Sequence, residues 1–88
     1  MNRFIYAVRD TVSGQLSDIC TSGSDAEFCR GFKAQLNANG FPRYIARDLC
    51  GVCLGEYDAT SGVVTGYEAF RPVAYGSDLL EPEKENND

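Results

Sequence analysis

The sequence predicts an α+β domain in which four antiparallel strands form one sheet with a single helix packed on one face. Four segments rich in β-branched and aromatic residues are separated by turn-forming residues, and one segment between them has helical spacing of its apolar side chains. The predicted order is therefore ββαββ. Because 88 residues bury one modest core, we expect a single domain over residues 1–75.

The first two strands are predicted on either side of a tight turn. Residues 3–9 are rich in strand-forming types, and a second strand follows over residues 15–20. Between them, Asp10-Thr-Val-Ser-Gly14 combines an aspartate that caps its own turn with a glycine that adopts positive φ, which is typical of a hairpin loop. Asp58-Ala-Thr-Ser-Gly62 repeats this pattern, either because hairpin turns share their chemistry or because a unit was duplicated.

The helix is predicted to begin at Asp25, because Ser24 and Glu27 have the spacing of a capping box. One apolar stripe runs along about four turns at positions i, i+4 and i+8. Its members are Phe28, Phe32 and Leu36. Asn39-Gly40 supplies the left-handed residue that is expected to end the helix.

The last two strands are predicted over residues 49–57 and 63–70, and Pro72 is expected to end regular pairing. Beyond Tyr75 the chain is charged and has no apolar stripe, so residues 76–88 are predicted to be a disordered acidic tail. Residues 77–88 hold five acidic side chains and one basic one, so they carry −4 of the formal charge of −5. The folded part is nearly neutral, and its charge neither favours nor excludes an anionic partner.

Enzymatic chemistry finds little support in the sequence. The chain has no histidine, which removes the commonest general base and the commonest metal ligand. Its carboxylates fall at turns, caps and strand ends, and no glycine-rich phosphate loop lies between a strand and a helix. We therefore predict that the protein is not an enzyme, with no catalytic residues and no cofactor. No apolar stretch is long enough for a membrane span or a signal peptide, so we expect a cytoplasmic protein with no membrane partner.

Four cysteines leave three interpretations open: packing as small apolar residues, a structural zinc site, or redox chemistry. They are Cys20, Cys29, Cys50 and Cys53. The Cys50-Gly-Val-Cys53 spacing suits a metal, but it lies in a predicted strand, which would send the two side chains to opposite faces. A reducing compartment would also keep the thiols free of disulfides. Packing is the interpretation we favour, with no metal site.

One helix can cover only one face of a four-stranded sheet, so the other face is expected to be an interaction surface. Arginines and tyrosines near this sheet suggest phosphate contacts and stacking platforms for single-stranded nucleic acid. The candidate nucleic-acid-binding residues are Arg3, Arg9, Arg43, Tyr44, Arg47, Tyr57 and Tyr67. The alternative is that the tyrosines are half-buried sheet residues and the arginines form a solvated rim.

Three segments together resemble the small nonstructural protein of gokushoviruses, the single-stranded DNA microviruses of bacteria. They are Ile5-Tyr-Ala-Val-Arg-Asp10, the helical Ser24-Asp-Ala-Glu-Phe-Cys-Arg-Gly-Phe32, and Leu54-Gly-Glu-Tyr-Asp58 followed by Ser61-Gly62. The likeness covers about residues 4–73. It departs at Pro42-Arg-Tyr-Ile-Ala-Arg-Asp48, where the family usually has a shorter Pro-x-Asp segment, and the cysteines are not part of the pattern.

This resemblance implies a protein made in the cytoplasm of an infected host, with a part in viral DNA synthesis or in its switch to packaging. It brings no catalytic residues. We therefore expect a phage nonstructural protein that binds single-stranded DNA through the open sheet face, as a homodimer. The alternatives are a protein–protein adaptor that engages the replication initiator, the scaffold or a host factor through that face or the acidic tail, and a zinc-stabilised module.

Overall fold

The computed structural model describes residues 2–82 and confirms the predicted four-stranded antiparallel sheet with helical cover. The strands are β1 (Asn2–Asp10), β2 (Cys20–Ser22), β3 (Leu49–Asp58) and β4 (Val64–Tyr75). The helices are α1 (Asp25–Leu36), α2 (Arg43–Ala46) and α3 (Gly76–Leu79). The strands lie in the order β2-β1-β3-β4, so β2 and β4 are the edges of the sheet. None of the described helices has the length and apolar character that crossing a membrane would need.

Both predicted turns form as their chemistry requires. The Asp10 carboxylate accepts hydrogen bonds from two N–H groups of its own loop, and Gly14 has a φ of 79°. The Asp58 carboxylate does the same in the loop before β4, where Gly62 has a φ of 80°. Local side-chain chemistry therefore sets these two reversals of the chain.

The second strand is not where the sequence predicts it. Residues 15–19 make a single isolated bridge, Arg9 with Leu16, and continuous pairing begins at Cys20. The reason lies at Ser17, whose hydroxyl accepts the Val8 N–H at 2.9 Å in place of a backbone carbonyl. Such a side-chain acceptor competes with the strand ladder, and β2 is left as a three-residue edge strand.

Helix α1 begins at Asp25 as predicted, and the Ser24 hydroxyl accepts the Glu27 N–H at 3.2 Å. It ends at Leu36, three residues before the expected end, because Asn37 stops it. The Asn37 side-chain amide donates to the carbonyl of Lys33 inside the helix and to the carbonyl of Leu79 near the C-terminus. The helix end is thus held by a segment more than forty residues away in sequence.

The main core lies between α1 and one face of the sheet. Its buried members from the helix are Phe28, Phe32 and Leu36, the predicted apolar stripe. The ring of Phe28 stacks on that of Tyr6 in β1, with centroids 4.3 Å apart. A Cβ at Gly51 in β3 would lie 2.5 Å from the Phe28 ring, so this glycine lets the helix settle closely on the sheet.

The C-terminal part of the fold extends farther than the sequence suggests. Strand β4 passes through Pro72 to Tyr75, which corrects the expected end of pairing; an edge strand tolerates the missing N–H of a proline. Residues 76–79 form α3, and Leu79 and Leu80 pack against the main core. The predicted domain boundary at residue 75 and the predicted disorder from residue 76 are therefore wrong over residues 76–80. Residues 83–88 of the predicted tail lie outside the described residues.

Candidate functional site

All three helices pack on the same side of the sheet, so the opposite side, here called the far face, carries no described helix. Side-chain alternation assigns its members, because Phe4, Tyr6 and Val8 of β1 join the helix-side core. The far-face residues of β1 are accordingly Arg3, Ile5, Ala7 and Arg9. The same alternation places Tyr57 of β3 and Phe70 of β4 on this face.

The centre of the far face is buried even though no helix covers it. Ala7, Cys50 and Val52 form a second small cluster, in which Val52 has 0% of its surface exposed. The guanidinium carbon of Arg9 lies 5.5 Å from the centroid of the Phe70 ring. Because β3 lies between β1 and β4, the side chains of Arg9 and Phe70 must meet above β3. They therefore cover the small side chains of the cluster. The far face is therefore not simply exposed, because it has a small buried cluster of its own.

Aromatic side chains at and around the Arg9–Phe70 contact remain accessible to solvent. Phe70 is 41% exposed and Tyr75, which pairs with Cys50 at the end of β4, is 51% exposed. At the other end of the face, Arg3 lies opposite Tyr57 in the β1–β3 ladder, and both are partly buried. Each end thus combines an arginine with an aromatic ring.

The far face is slightly basic, although the chain as a whole is acidic. Its charged residues in β1, β3 and β4 are Arg3, Arg9 and, by alternation in β4, the exposed Glu68. The Asp25 and Glu56 carboxylates lie on the helix side, where they accept hydrogen bonds from Tyr6 and Tyr67. The strand residues of the far face therefore carry one more positive than negative charge.

The predicted nucleic-acid-binding residues do not form one surface. Arg3, Arg9 and Tyr57 share the far face as expected. Arg43, Tyr44 and Arg47 lie instead in or next to α2, which packs into the helix-side core through Ala46. Arg43 there donates to the Glu81 carbonyl at 2.9 Å, and Tyr44 is 73% exposed.

Tyr67 is also misplaced by the prediction, because its position in β4 turns it to the helix side. Its hydroxyl donates to the Glu56 carboxylate at 3.3 Å, and burial raises the pKa of this hydroxyl. Two aromatic residues of the far face, Phe70 and Tyr75, are absent from the binding residues predicted from the sequence. The alternation of β4 carried a signal for Phe70, whereas Tyr75 lay beyond the proline that was expected to end the strand.

On the helix side, Asp25 ties three elements together. Its carboxylate accepts two hydrogen bonds from the Arg71 guanidinium, at 2.8 and 3.2 Å, and one from the Tyr6 hydroxyl at 2.6 Å. These hydrogen bonds lower the pKa of the Asp25 carboxyl, and burial beside that carboxylate raises the pKa of the Tyr6 hydroxyl. Every partner is accounted for by the packing of α1 on β1 and β4, so we interpret this cluster as structural.

The Asp25 cluster makes stability depend on pH in the acid range. The folded-state pKa of Asp25 is depressed, so its contribution is present above the unfolded value of about 3.9 and is lost as the pH falls through the folded value. We expect the free energy of unfolding of the wild type to fall more steeply below about pH 4 than that of Asp25→Asn. Urea denaturation at a series of pH values measures this difference, and two parallel pH profiles would contradict it.

The four cysteines are free thiols in the structure. Cys50 belongs to the far-face cluster and Cys53 to the main core, so the predicted placement of the two side chains on opposite faces is confirmed. Burial raises the pKa of the Cys29 and Cys50 thiols, which favours the unreactive protonated form. Across residues 2–82, no three potential metal-ligating side chains gather at one point.

Comparison of the chain with protein-family models, with curated proteins and with solved structures finds no match. The surfaces of the molecule are therefore what supports a functional proposal.

Proposed function

We propose that this protein is a non-enzymatic phage nonstructural protein that binds single-stranded DNA on the far face during viral DNA synthesis or packaging. The observation that carries the proposal is the Arg9–Phe70 pair, which spans β3 on a face without helical cover and is flanked by the exposed ring of Tyr75. Arginines that neutralise phosphates beside rings that stack on bases are the usual elements of a single-strand binding surface.

Stacking supplies the larger share of the expected affinity. A base stacked on an aromatic side chain contributes about 1–3 kcal/mol, and Phe70 and Tyr75 both have accessible ring surface. The Ala7, Cys50 and Val52 cluster on the same face is buried, so the strands that carry the two rings are held in place before the DNA binds. Prior order of this kind reduces the entropy lost on binding.

Charge supplies a smaller share, because the far face has two arginines and one glutamate. Single strands release about 0.7 counterion per neutralised phosphate, so two contacts predict a slope of about −1.4 in log affinity against log salt. A homodimer that sets two far faces side by side would double the contacts, and we include such a dimer in the proposal.

We expect Phe70→Ala to weaken binding of a labelled oligonucleotide by about 5- to 140-fold, since it removes one stacking ring. Arg9→Ala should weaken binding less and should make the salt dependence shallower. Fluorescence anisotropy at several salt concentrations measures both effects.

The matched control is Arg43→Ala, which removes the same charge from α2, away from the far face. It should leave affinity nearly unchanged. A flat titration at low salt, or an equal loss in the Arg9 and Arg43 variants, would exclude DNA binding at this surface.

A second candidate function is the protein–protein adaptor, which would engage a replication initiator, a scaffold or a host factor. It is favoured by the apolar residues exposed on and next to the edge strand β4, with Val63 and Val64 both more than 60% exposed. Retention of one protein from infected cells after nuclease treatment, lost in Val64→Lys, would support the adaptor. Release of that protein by nuclease would favour the DNA-binding proposal.

A further inference from the structure

The helix side of the molecule holds a groove that the proposed DNA-binding surface does not use. It lies between α1 and the segment of residues 13–22, and its volume is about 790 Å³. Phe28 and Phe32 of the helix form its apolar floor together with Leu16 and Val8. Phe28, Phe32 and Val8 belong to the main core, and Leu16 is 45% exposed in the segment that precedes β2.

The charged residues that line the groove are all acidic. They are Asp10, Asp18 and Glu27, and among residues 2–82 no lysine or arginine joins them in the lining. The ion pairs found within the described residues involve none of these three carboxylates. An apolar floor with an acidic rim complements a ligand that carries both apolar groups and positive charge, and it repels nucleic acid.

Gly31 adds an independent observation. It lies inside α1, where glycine destabilises a helix by about 0.5–1 kcal/mol relative to alanine. It lines the groove, and a Cβ there would meet nothing within 4 Å. Nothing in the folded chain therefore requires a glycine here, whereas a ligand whose backbone passes close to the helix would require one.

The wall opposite the helix contains an edge strand. Strand β2 pairs with β1 along one side, and within the described fold no strand pairs with its other side. Cys20, Thr21 and Ser22 of β2 all line the groove. An extended peptide commonly binds such an edge by adding a strand, with alternate side chains received by the neighbouring groove.

We infer that this groove binds a short, extended, basic segment of a partner protein, which adds to the edge of β2 and passes over Gly31. Apolar side chains of the segment contact Phe28 and Phe32, while its lysines or arginines approach Asp18 and Glu27. The site is on the opposite side of the sheet from the far face, so it is independent of DNA binding there.

The test uses two labelled peptides of about six residues, one alternating lysine with valine and one alternating glutamate with valine. We expect the lysine peptide to bind the full-length protein at low salt and the glutamate peptide not to bind. In a nitrogen-15 NMR titration, the amides of Thr21 and Gly31 should shift, while the amide of Tyr75 on the far face should not.

The deciding variant is Gly31→Leu, which should raise the free energy of unfolding because leucine is a better helix former than glycine. The same change fills the groove, so we expect it to weaken binding of the lysine peptide at least about tenfold, or 1.4 kcal/mol. The control Ala34→Gly alters an exposed position of α1 that does not line the groove. It should lower stability and leave peptide affinity unchanged.

Binding with these opposite effects on stability and affinity supports the inference. It is overturned if the lysine peptide does not bind at low salt, if both peptides bind equally, or if Gly31→Leu keeps full affinity. It is also overturned if light scattering shows a homodimer that Gly31→Leu converts to a monomer, because a second copy would then be the occupant. The oligonucleotide titration with Gly31→Leu should match the wild type, so failure of the two proposals can be told apart.

Discussion

Replacing Gly55 with alanine is expected to lower the free energy of unfolding by about 3 kcal/mol. A Cβ at Gly55 would overlap the backbone carbonyl oxygen of Thr65 and would lie 2.9 Å from the Gly66 Cα. Both atoms belong to the main chain of β4, which cannot move away without loss of ladder hydrogen bonds to β3. For a domain of this size the melting temperature should fall by about 12–24 °C.

Gly66→Ala is the matched control for this change, since Gly66 is the register partner of Gly55 across the β3–β4 ladder. A Cβ at Gly66 would meet nothing within 4 Å, so alanine there should be neutral or slightly stabilising. Urea denaturation of the two variants measures the contrast. Equal stability of Gly55→Ala and Gly66→Ala would mean that the two strands are not in this register.

Gly76→Ala is expected to lower the free energy of unfolding by about 2 kcal/mol. A Cβ at Gly76 would overlap the carbonyl oxygen of Ala46 in α2 and would lie 2.9 Å from that of Leu49. The start of α3 would be displaced from α2, and the contacts of Leu79 with the main core would be weakened. The hydrogen bonds that Asn37 makes with the backbone of Leu79 and Glu81 would be strained as well.

Hydrogen exchange gives a local measurement of the same effect. In Gly76→Ala the amide of Glu81, which donates to the Asn37 side chain, should lose protection relative to the wild type. The control Ser77→Ala changes the next, exposed residue and should leave both stability and this protection nearly unchanged. Normal protection of Glu81 in Gly76→Ala would show that residues 76–82 do not depend on the close approach of Gly76 to α2.

The candidate DNA-binding residues show how far residue type and strand placement alone can lead. Arg3, Arg9 and Tyr57 are predicted near one sheet from their residue types, and in the structure all three lie on one face. The prediction does not hold for Tyr67, because residue type alone does not say which face of β4 a side chain occupies, and Tyr67 lies on the helix side beside Glu56. It failed for the residues of α2, because a composition of arginine and tyrosine does not say on which side of the sheet a short helix packs.

Features set by neighbouring residues were readable from the order of amino acids. The Asp10 and Asp58 turns, the Ser24 cap and the Phe28–Phe32–Leu36 stripe each depend on side chains within a few positions of one another. Contacts between distant segments determined the rest. Ser17 shortened β2 by bonding to Val8, and Asn37 ended α1 by bonding to Leu79. Local propensities are properties of a short peptide, whereas these hydrogen bonds exist only after folding has brought the two segments together. The buried cluster of the far face and the acidic groove therefore follow from the tertiary structure.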